Sequence, residues 1–256
     1  MDAVAGIETP TVTQESGTTA SKRGLHGRLL EQLGLAICGR RLATGTIVTI
    51  EEIENQYEVS RSVVREAVRV LESMGLVASR RRMGVYVLPP EKWNLYDPQI
   101  IRWRLASSAR ITQLRSLTEL RTAIEPEAAR LAAIRAPLTD ASDLMGLVGR
   151  LWAAGEAGDQ QLFLSLDIEF HRLVLESSGN EMFGKLTSLV GEVLTGRTHY
   201  GLMPDHPHRD AMQLHVDVAS AIQRGAADVA QEAMLRIMQQ TMSEMSSIWD
   251  STQPAS

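Results

Sequence analysis

Apolar residues recur at helical spacing in the first third of the chain, and short breaks divide that pattern into separate elements. The predicted elements are helices over 25–37, over 50–57 and between Ser60 and Gly75, then strands over 76–77 and 85–88. The stretch between the first two helices, RRLATGTIVT, is predicted to be a connector because a glycine interrupts any period. Helix, tight turn, helix and hairpin in this order are typical of a winged helix-turn-helix.

The third helix has an apolar stripe on one face and basic side chains on another. Arg61, Arg65 and Arg69 recur at i, i+4 and i+8, with Ser62 beside the first. Ser60 is a favourable N-cap, since its hydroxyl can accept from a free amide of the first turn. The N-terminal end of such a helix enters the major groove, where the planar fork of arginine matches the O6 and N7 acceptors of guanine.

The hairpin after this helix has a basic tip, and it supports the same interpretation. An amphipathic helix with incidental arginines is the alternative, but the preceding helix, the capping serine and the basic hairpin all stand in the expected order. We therefore predict a DNA-binding unit. Its candidate DNA-contacting residues are Ser60, Arg61, Ser62, Arg65, Arg80, Arg81 and Arg82.

Helical periodicity resumes after a linker with three prolines, and no strand pattern appears beyond it. The predicted helices lie near 98–106, 111–135, 139–156, 158–177, 180–199, 208–224 and 226–249. The expected fold is mainly α, with an N-terminal winged helix-turn-helix and a C-terminal all-α bundle of about six or seven helices. The expected organisation is a disordered tail over 1–20, a DNA-binding domain over 21–88, a linker over 89–99, a helical domain over 100–249 and a tail over 250–256.

Charge is distributed unevenly along the 256 residues, which carry a net charge of −5. Residues 21–90 hold eleven Lys/Arg against seven Asp/Glu, whereas residues 91–256 hold fifteen against twenty-one. A basic module on an acidic body indicates that nucleic acid is contacted at one end. The single cysteine, Cys38, fits a reducing compartment, and no apolar run is long enough to span a bilayer. We expect a cytoplasmic protein without a membrane partner.

Candidate chemistry in the helical part lies on two predicted helices. Asp167 and His171 stand at i and i+4, a spacing at which both side chains can reach one metal ion, and His215 follows two helices later. Chance helices often carry such a pair, and a histidine bonded to a carbonyl is the plainer interpretation of His215. Arg121 lies within an apolar helix, where it either pairs with Glu125 at i+4 or grips an anionic ligand.

A third candidate position lies at the end of a predicted helix, in the sequence GRTHY. Arg197 and His199 can contact a ligand there. They can equally cap the last carbonyls of the helix, where positive charge is favoured.

Residues 24–88 resemble the winged helix-turn-helix of the GntR family of bacterial transcription regulators. The recognition motif of that family, S/T-R-x-x-x-R-E-A-x-x-x-L, is matched from Ser60 to Leu71. The resemblance implies that Arg61 and Arg65 contact bases or phosphates, that the two serines contact phosphates, and that the wing tip touches the minor groove. The glycine usual at the wing tip is replaced here, beside Arg82.

Residues 111–240 resemble the FCD ligand-binding domain of the FadR subfamily, and the whole chain resembles its sugar-acid repressors of the galactonate or gluconate type. The shared motifs are L-R-x-x-x-E, D-x-x-F-H followed by S-G-N, and a histidine ahead of A-I-x-x-G. Many members bind a divalent metal ion, often zinc, through an aspartate and three histidines. Asp167, His171 and His215 match the first three ligands, and the fourth position is Ile237.

Two interpretations of this incomplete ligand set are open. Three protein ligands can keep the metal and leave open positions to water and to the effector, or the metal is lost and the polar residues bind the effector directly. We expect a homodimeric repressor that a small carboxylate releases from a palindromic operator, with Arg121 holding the carboxylate. A regulator that responds to another organic acid or to acyl-CoA without metal is the alternative. A metal-dependent enzyme is the rival class, and we do not expect an enzyme.

Overall fold

The computed structural model describes residues 16–202 and 208–250, with side chains over 24–202 and 208–245. The chain divides into two compact units, Met1–Trp93 and Asn94–Ser256. Residues 1–15 of the expected N-terminal tail, and 251–256 of the C-terminal one, lie outside the described residues. The first helix begins at Ser16, so the last five residues of the segment expected to be disordered are helical.

The N-terminal unit is a winged helix-turn-helix, as predicted. Its elements are α1 Ser16–Cys38, β1 Ile47–Val48, α2 Ile50–Tyr57, α3 Arg61–Ser73, β2 Val77–Arg80, β3 Gly84–Val87 and a 3-10 helix Pro90–Lys92. The three strands form an antiparallel sheet in the order β1-β3-β2. The prediction of a plain connector over 40–49 is wrong in one respect, because Ile47 and Val48 pair with Tyr86 and Val85 of the hairpin.

Helices α2 and α3 start where the sequence predicts, but their caps differ from each other. Thr49 caps α2 through a reciprocal capping box, in which its hydroxyl accepts from the Glu52 amide while the Glu52 carboxylate accepts from the Thr49 amide. Ser60 occupies the N-cap of α3, but its hydroxyl lies 3.0 Å from that of Ser62 and makes no capping bond to the backbone. The predicted capping bond of Ser60 is therefore wrong, and both hydroxyls lie exposed at the start of α3, the predicted recognition helix.

The recognition helix and the wing are joined by a hydrogen bond. The Ser79 amide on β2 donates to Glu72 Oε1 on α3 at 2.6 Å. At the tip, Arg80 pairs with Gly84 across the hairpin, and Arg82 adopts a left-handed backbone with φ of 66°. That conformation suits glycine, so the arginine at this place carries some strain. The wing thus presents three exposed arginines on a tight turn that is fixed to the recognition helix.

The beginning of the predicted linker belongs to the N-terminal unit. Trp93 Nε1 donates to the Leu88 carbonyl at 3.0 Å. Gly75 has a φ of 75°, and a Cβ there would lie 2.2 Å from the Lys92 carbonyl oxygen, so only glycine allows this approach. Three residues then separate Trp93 from Asp97, whose side chain caps the next helix.

The second unit is an all-α bundle, which confirms the predicted fold class. Its helices are α4 Pro98–Leu105, α5 Arg110–Arg135, α6 Leu138–Ala157, α7 Gln160–Ser177, α8 Glu181–Gly184, α9 Thr187–His199, α10 Arg209–Gln223 and α11 Ala227–Asp250. The single helix predicted over 180–199 is two helices, separated at Lys185 and Leu186. Helix α5 packs along α11 and α7, and α10 packs between α6 and α11. Within the described residues, none of the helices is long and apolar enough to cross a membrane.

Candidate functional site

All seven candidate DNA-contacting side chains lie exposed on the N-terminal unit. Those at the start of α3 are Ser60, Arg61, Ser62 and Arg65, and those of the wing are Arg80, Arg81 and Arg82. Burial of the opposite face explains this exposure, because Val64, Ala67, Val68 and Leu71 have at most 3% of their surface accessible. Arg69, further along α3, pairs with Glu66 at 3.4 Å. The DNA contacts themselves stay a prediction.

The second site lies inside the helical bundle and begins with a buried ion pair on α5. Arg121 Nε donates to Glu125 Oε1 at 2.5 Å, with both side chains about 1% exposed. The pairing follows from the i, i+4 spacing on one helix. Arg121 Nη2 also lies 3.3 Å from Nε2 of His171 on α7. The internal pair expected for Arg121 is therefore present, but it uses only part of the guanidinium group.

Asp167 stands between the two histidines that the sequence grouped with it. His215 Nε2 on α10 lies 3.1 Å from Asp167 Oδ1, and His171 Nε2 lies 3.5 Å from the same oxygen. All three residues are buried, and one ligand atom from each lies within 4.8 Å of the others. The three residues can therefore hold a single metal ion.

The Nδ1 atom of each histidine, on the side of the ring away from Asp167, lies close to an oxygen acceptor. His215 Nδ1 lies 2.7 Å from the Ala211 carbonyl oxygen, which only accepts, so this nitrogen carries the hydrogen. His171 Nδ1 lies 2.5 Å from Glu125 Oε2, an ion-pair contact that lacks hydrogen-bond geometry. A neutral imidazole with its hydrogen on Nδ1 directs its Nε2 lone pair toward Asp167, which suits a cation held between the ring and the carboxylate, whereas a protonated imidazole donates to the carboxylate instead. Such outer partners are usual for metal-binding histidines, so the donor set fits a divalent ion.

The pKa values follow from these contacts. Burial opposes ionisation of Glu125, but Arg121 and His171 more than offset it and lower the pKa of this carboxyl to about 2. Burial likewise opposes ionisation of Asp167, yet its bonds to His171 and His215 hold its pKa well below the usual range. Burial and the charge of Arg121 act to lower the pKa of His171, but the charge of Glu125 and the contacts with Asp167 and Glu125 together outweigh them, so this pKa is raised. Both carboxylates are thus ionised at neutral pH, as metal ligation and ion pairing require.

Arg197 on α9 brings a second buried guanidinium group to the same place. Its Nη2 donates to Glu244 Oε2 at 3.0 Å and its Nη1 donates to Thr241 Oγ1 at 3.4 Å, both on α11. Burial and the charge of Arg121 lower the pKa of Arg197, so two cations repel each other across the site. His199 is different: it is exposed, packs edge-to-face on Tyr200 and does not line the cavity. It lies two residues beyond Arg197 and so faces away from the site.

A cavity of about 50 Å³ joins these groups. Its lining includes Arg121, Asp167, His171, Arg197, His215 and Ile237, together with Phe163, Leu194, His208, Ala211, Gln240, Thr241 and Glu244. Ile237 borders the cavity at the position where the resemblance placed a fourth histidine. The residues from α11 were not among the candidates predicted from the sequence, although Gln240, Thr241 and Glu244 follow Ile237 at spacings of three, four and seven on one face.

Two buried donors of this cavity have no hydrogen-bond partner among the described residues. They are Arg121 Nη1 and Arg197 Nε. An unpaired buried donor costs about 1–3 kcal/mol, and more when the group is charged. Two such donors on guanidinium groups that line one cavity indicate a site for an anion or another strong acceptor.

The buried ion pair on α5 gives a stability prediction. Replacing Glu125 by Gln leaves the Arg121 guanidinium buried without a counter-charge, so we expect the free energy of unfolding to fall by about 3–5 kcal/mol. Urea unfolding of the bundle measures the change. Glu127→Gln is the matched control, because Glu127 pairs with Arg130 at the surface of the same helix and should contribute only about 0–1 kcal/mol. Equal losses in the two variants would contradict the role of this pair.

Each of the two units matches a known protein family. Residues 25–87 match the model of bacterial regulatory proteins of the gntR family, and residues 116–240 match the FCD domain. The galactonate operon transcriptional repressor of Escherichia coli K12 is 26% identical over 82% of this chain and 92% of its own length. A probable D-xylose utilization operon repressor of Paenarthrobacter nicotinovorans is 27% identical over 78% of this chain and 79% of its own.

Solved structures support the fold. E. coli McbR/YncC aligns with a TM-score of 0.50 at 18% identity, covering 88% of this chain and 98% of the other. The two family matches together span most of the chain, and each match lies within one of the two compact units of the structure. The chain belongs to the gntR family of bacterial transcription regulators and carries a helix-turn-helix DNA-binding unit followed by an FCD domain.

Proposed function

We propose that this regulator is a homodimeric repressor that leaves a palindromic operator when a carboxylate with a neighbouring hydroxyl binds in its FCD domain. Sugar acids such as galactonate or gluconate are the effector class, as the names of relatives suggest. The observation that carries the proposal is the buried cavity in which Asp167, His171 and His215 meet two unpartnered guanidinium donors. Two-fold symmetry would match two recognition helices to two half-sites of an operator.

The DNA side of the proposal rests on the exposed start of α3. Arg61→Ala and Arg65→Ala should each weaken operator binding by about 1–3 kcal/mol, or roughly 5- to 150-fold, because each removes a base or phosphate contact. Mobility shifts with operator DNA measure this affinity, and calorimetry with the effector should show an unchanged Kd. Arg172→Ala on α7 removes the same charge from the other unit and should leave operator affinity intact. Loss of effector binding in the α3 variants would argue for misfolding instead.

In the proposed effector site, each polar group that lines the cavity has its own role. Asp167, His171 and His215 would hold a divalent ion, zinc being the expected one, and leave coordination positions open. The ion, when bound, supplies Lewis-acid positions for two oxygens of the effector. Arg121 and Arg197 hold the carboxylate through their unpartnered N–H groups. Ile237 lines the cavity without a ligand atom, so an ion held by the other three residues would remain accessible to the effector.

Charge balance favours a metal ion in this arrangement. With neutral histidines, as metal ligands must be, Arg121 and Arg197 face the carboxylates of Glu125, Asp167 and Glu244. These groups then carry an excess of one negative charge, which a proton on His171, whose pKa is raised, cancels when no ion is bound. A divalent ion turns that excess into one positive charge, which a single carboxylate neutralises. Effector and metal should therefore bind cooperatively.

Removal of a metal ligand gives the second functional prediction. His171→Ala should bind operator DNA with unchanged affinity, contain less than half of the wild-type zinc by elemental analysis, and need at least tenfold more effector for release. His199→Ala is the matched control, since His199 is exposed outside the cavity and should leave metal content and release unchanged. Normal release by metal-free His171→Ala would remove the ion from the mechanism and leave direct binding by the polar residues.

Helix α9 offers a route from the cavity to the linker. Arg197 lines the cavity, and at the preceding position a Cβ on Gly196 would lie 2.6 Å from Leu105 Cδ1, so α9 and α4 touch there. One turn earlier Glu192 accepts two bonds from Arg102 on α4, at 2.6 and 3.1 Å. Helix α4 is the first element after the linker, and Trp93 is tied to the DNA-binding unit only four residues before Asp97. An effector that hydrogen bonds to Arg197 would therefore act on α9 and, through the contacts of α9 with α4, on the first helix after the linker.

If the effector acts through α9 and α4, breaking their ion pair should weaken the coupling between effector binding and DNA binding. Both binding sites should stay intact. Arg102→Ala should keep operator and effector affinities within about threefold of wild type, while the factor by which effector weakens DNA binding, typically about 5- to 150-fold, falls at least threefold. Arg130→Ala removes another arginine of a surface pair and should leave the factor unchanged. The exchanged pair, Arg102→Glu with Glu192→Arg, should restore the coupling. Wild-type coupling in Arg102→Ala would exclude this ion pair from the route.

A further inference from the structure

The cavity has an enclosed end and an open end. At the enclosed end, Asp167, His171 and His215 are buried. At the open end, His208 is exposed, Gln240 is half-buried and the Glu244 side chain is 28% exposed. The cavity therefore leads from the candidate metal ligands to the surface along α11 and the start of α10.

The size of the whole cavity, with both ends included, limits what it can hold. A single water molecule needs a cavity volume of at least roughly 10–15 Å³. The cavity of about 50 Å³ therefore has room for roughly four water molecules. A carboxylate with a neighbouring hydroxyl is of this size, whereas a six-carbon acid is larger. An effector with its acid end at the candidate metal ligands must therefore extend the rest of its chain through the open end.

The chemistry of the open end differs from that of an apolar channel. Gln240 Nε2 donates to Glu244 Oε1 at 3.1 Å, and Glu244 Oε2 accepts from Arg197 Nη2 at 3.0 Å. The amide of Gln240 is thus positioned by the same carboxylate that orients Arg197. His208 adds a ring with a donor and an acceptor to this mouth. An alkyl chain here would cover polar groups without giving them hydrogen bonds, which is unfavourable.

We propose that His208, Gln240 and Glu244 form a tail site that binds the hydroxyl groups of a polyhydroxy acid whose carboxylate end lies in the enclosed cavity. The inference rests on the proposed function and adds the residues that select the proposed class of effector. It selects sugar acids over short 2-hydroxy acids, which leave the tail site empty, and over acids with alkyl or acyl chains, which cannot hydrogen bond to it.

Three kinds of acid test the tail site on the full-length, zinc-loaded protein. Lactate has the acid end alone, gluconate and galactonate add a hydroxylated tail, and 2-hydroxyhexanoate adds an alkyl tail of the same length. Calorimetry should show the better of the two sugar acids binding at least tenfold more tightly than 2-hydroxyhexanoate and than lactate. Equal or tighter binding of 2-hydroxyhexanoate overturns the tail site alone. Binding of none of the four acids overturns the proposed function as well.

A pair of variants then assigns the discrimination to α11. Gln240→Leu keeps the side-chain size but removes its hydrogen bonds, so the sugar acid should bind about tenfold more weakly while lactate binds within twofold of wild type. Gln239→Leu is the matched control, because Gln239 is exposed on the same helix and does not line this cavity. An equal loss for lactate and the sugar acid would place Gln240 at the acid end and contradict the proposal. Unchanged sugar-acid affinity in Gln240→Leu would do the same.

Discussion

The burial of Arg121 within an apolar helix bundle is the constraint on which the effector domain depends. A guanidinium group cannot lose its proton to escape burial, so it must find an acceptor where it lies. Glu125, one turn along α5, supplies that acceptor and also lies against His171 on α7. His171 in turn presents its other nitrogen to Asp167, which meets His215 on α10. One buried charge thus organises polar groups from three helices.

This cluster is poorly explained as a device for stability. Replacing a buried ion pair by apolar side chains of similar volume is often neutral or stabilising, so packing alone gives no reason for two arginines in the core. Arg121 and Arg197 also repel each other and retain an unpartnered donor each. A domain that carries such a cost gains from an anion that completes the set. The ligand binding that we propose therefore explains the polar cluster better than stability does, and the cluster is surrounded by a buried core that includes Phe170, Val193 and Met238.

Much of this arrangement could be predicted from the sequence, wherever the spacing on one helix decides the contact. The Arg121–Glu125 pair and the shared face of Asp167 and His171 both follow from i, i+4 geometry. The interpretations left open for Arg121 also turn out to be compatible, because Nε and Nη2 serve the internal pair while Nη1 has no partner among the described residues. Local periodicity likewise gave the helices of the bundle, with one exception where α8 and α9 had been joined.

Contacts between distant segments could not be predicted in the same way. The two residues of β1 have no local pattern of their own and are ordered by pairing with β3, 37 to 39 positions away. Arg197 and His199 looked equivalent in the sequence, and only the fold of the bundle, which brings Arg197 to Thr241 and Glu244 of α11, buries one and exposes the other.

The cavity-lining residues of α11 are a second case in which the sequence alone could not predict a contact. The resemblance drew attention to Ile237 because a ligand is missing there, whereas the polar groups that replace it stand three and seven residues later and become neighbours of Arg197 only through the fold. An apolar residue at 237 and hydrogen-bonding groups at 240 and 244 on the same face have one physical consequence for the proposed site. The recognition of a ligand there would depend less on an ion and more on α11, the helix that also bonds to Arg197 on α9. Because α9 is bonded to α4, and α4 follows the linker, the helix face that we propose to select the effector is also connected, through α9, to the first helix after the linker.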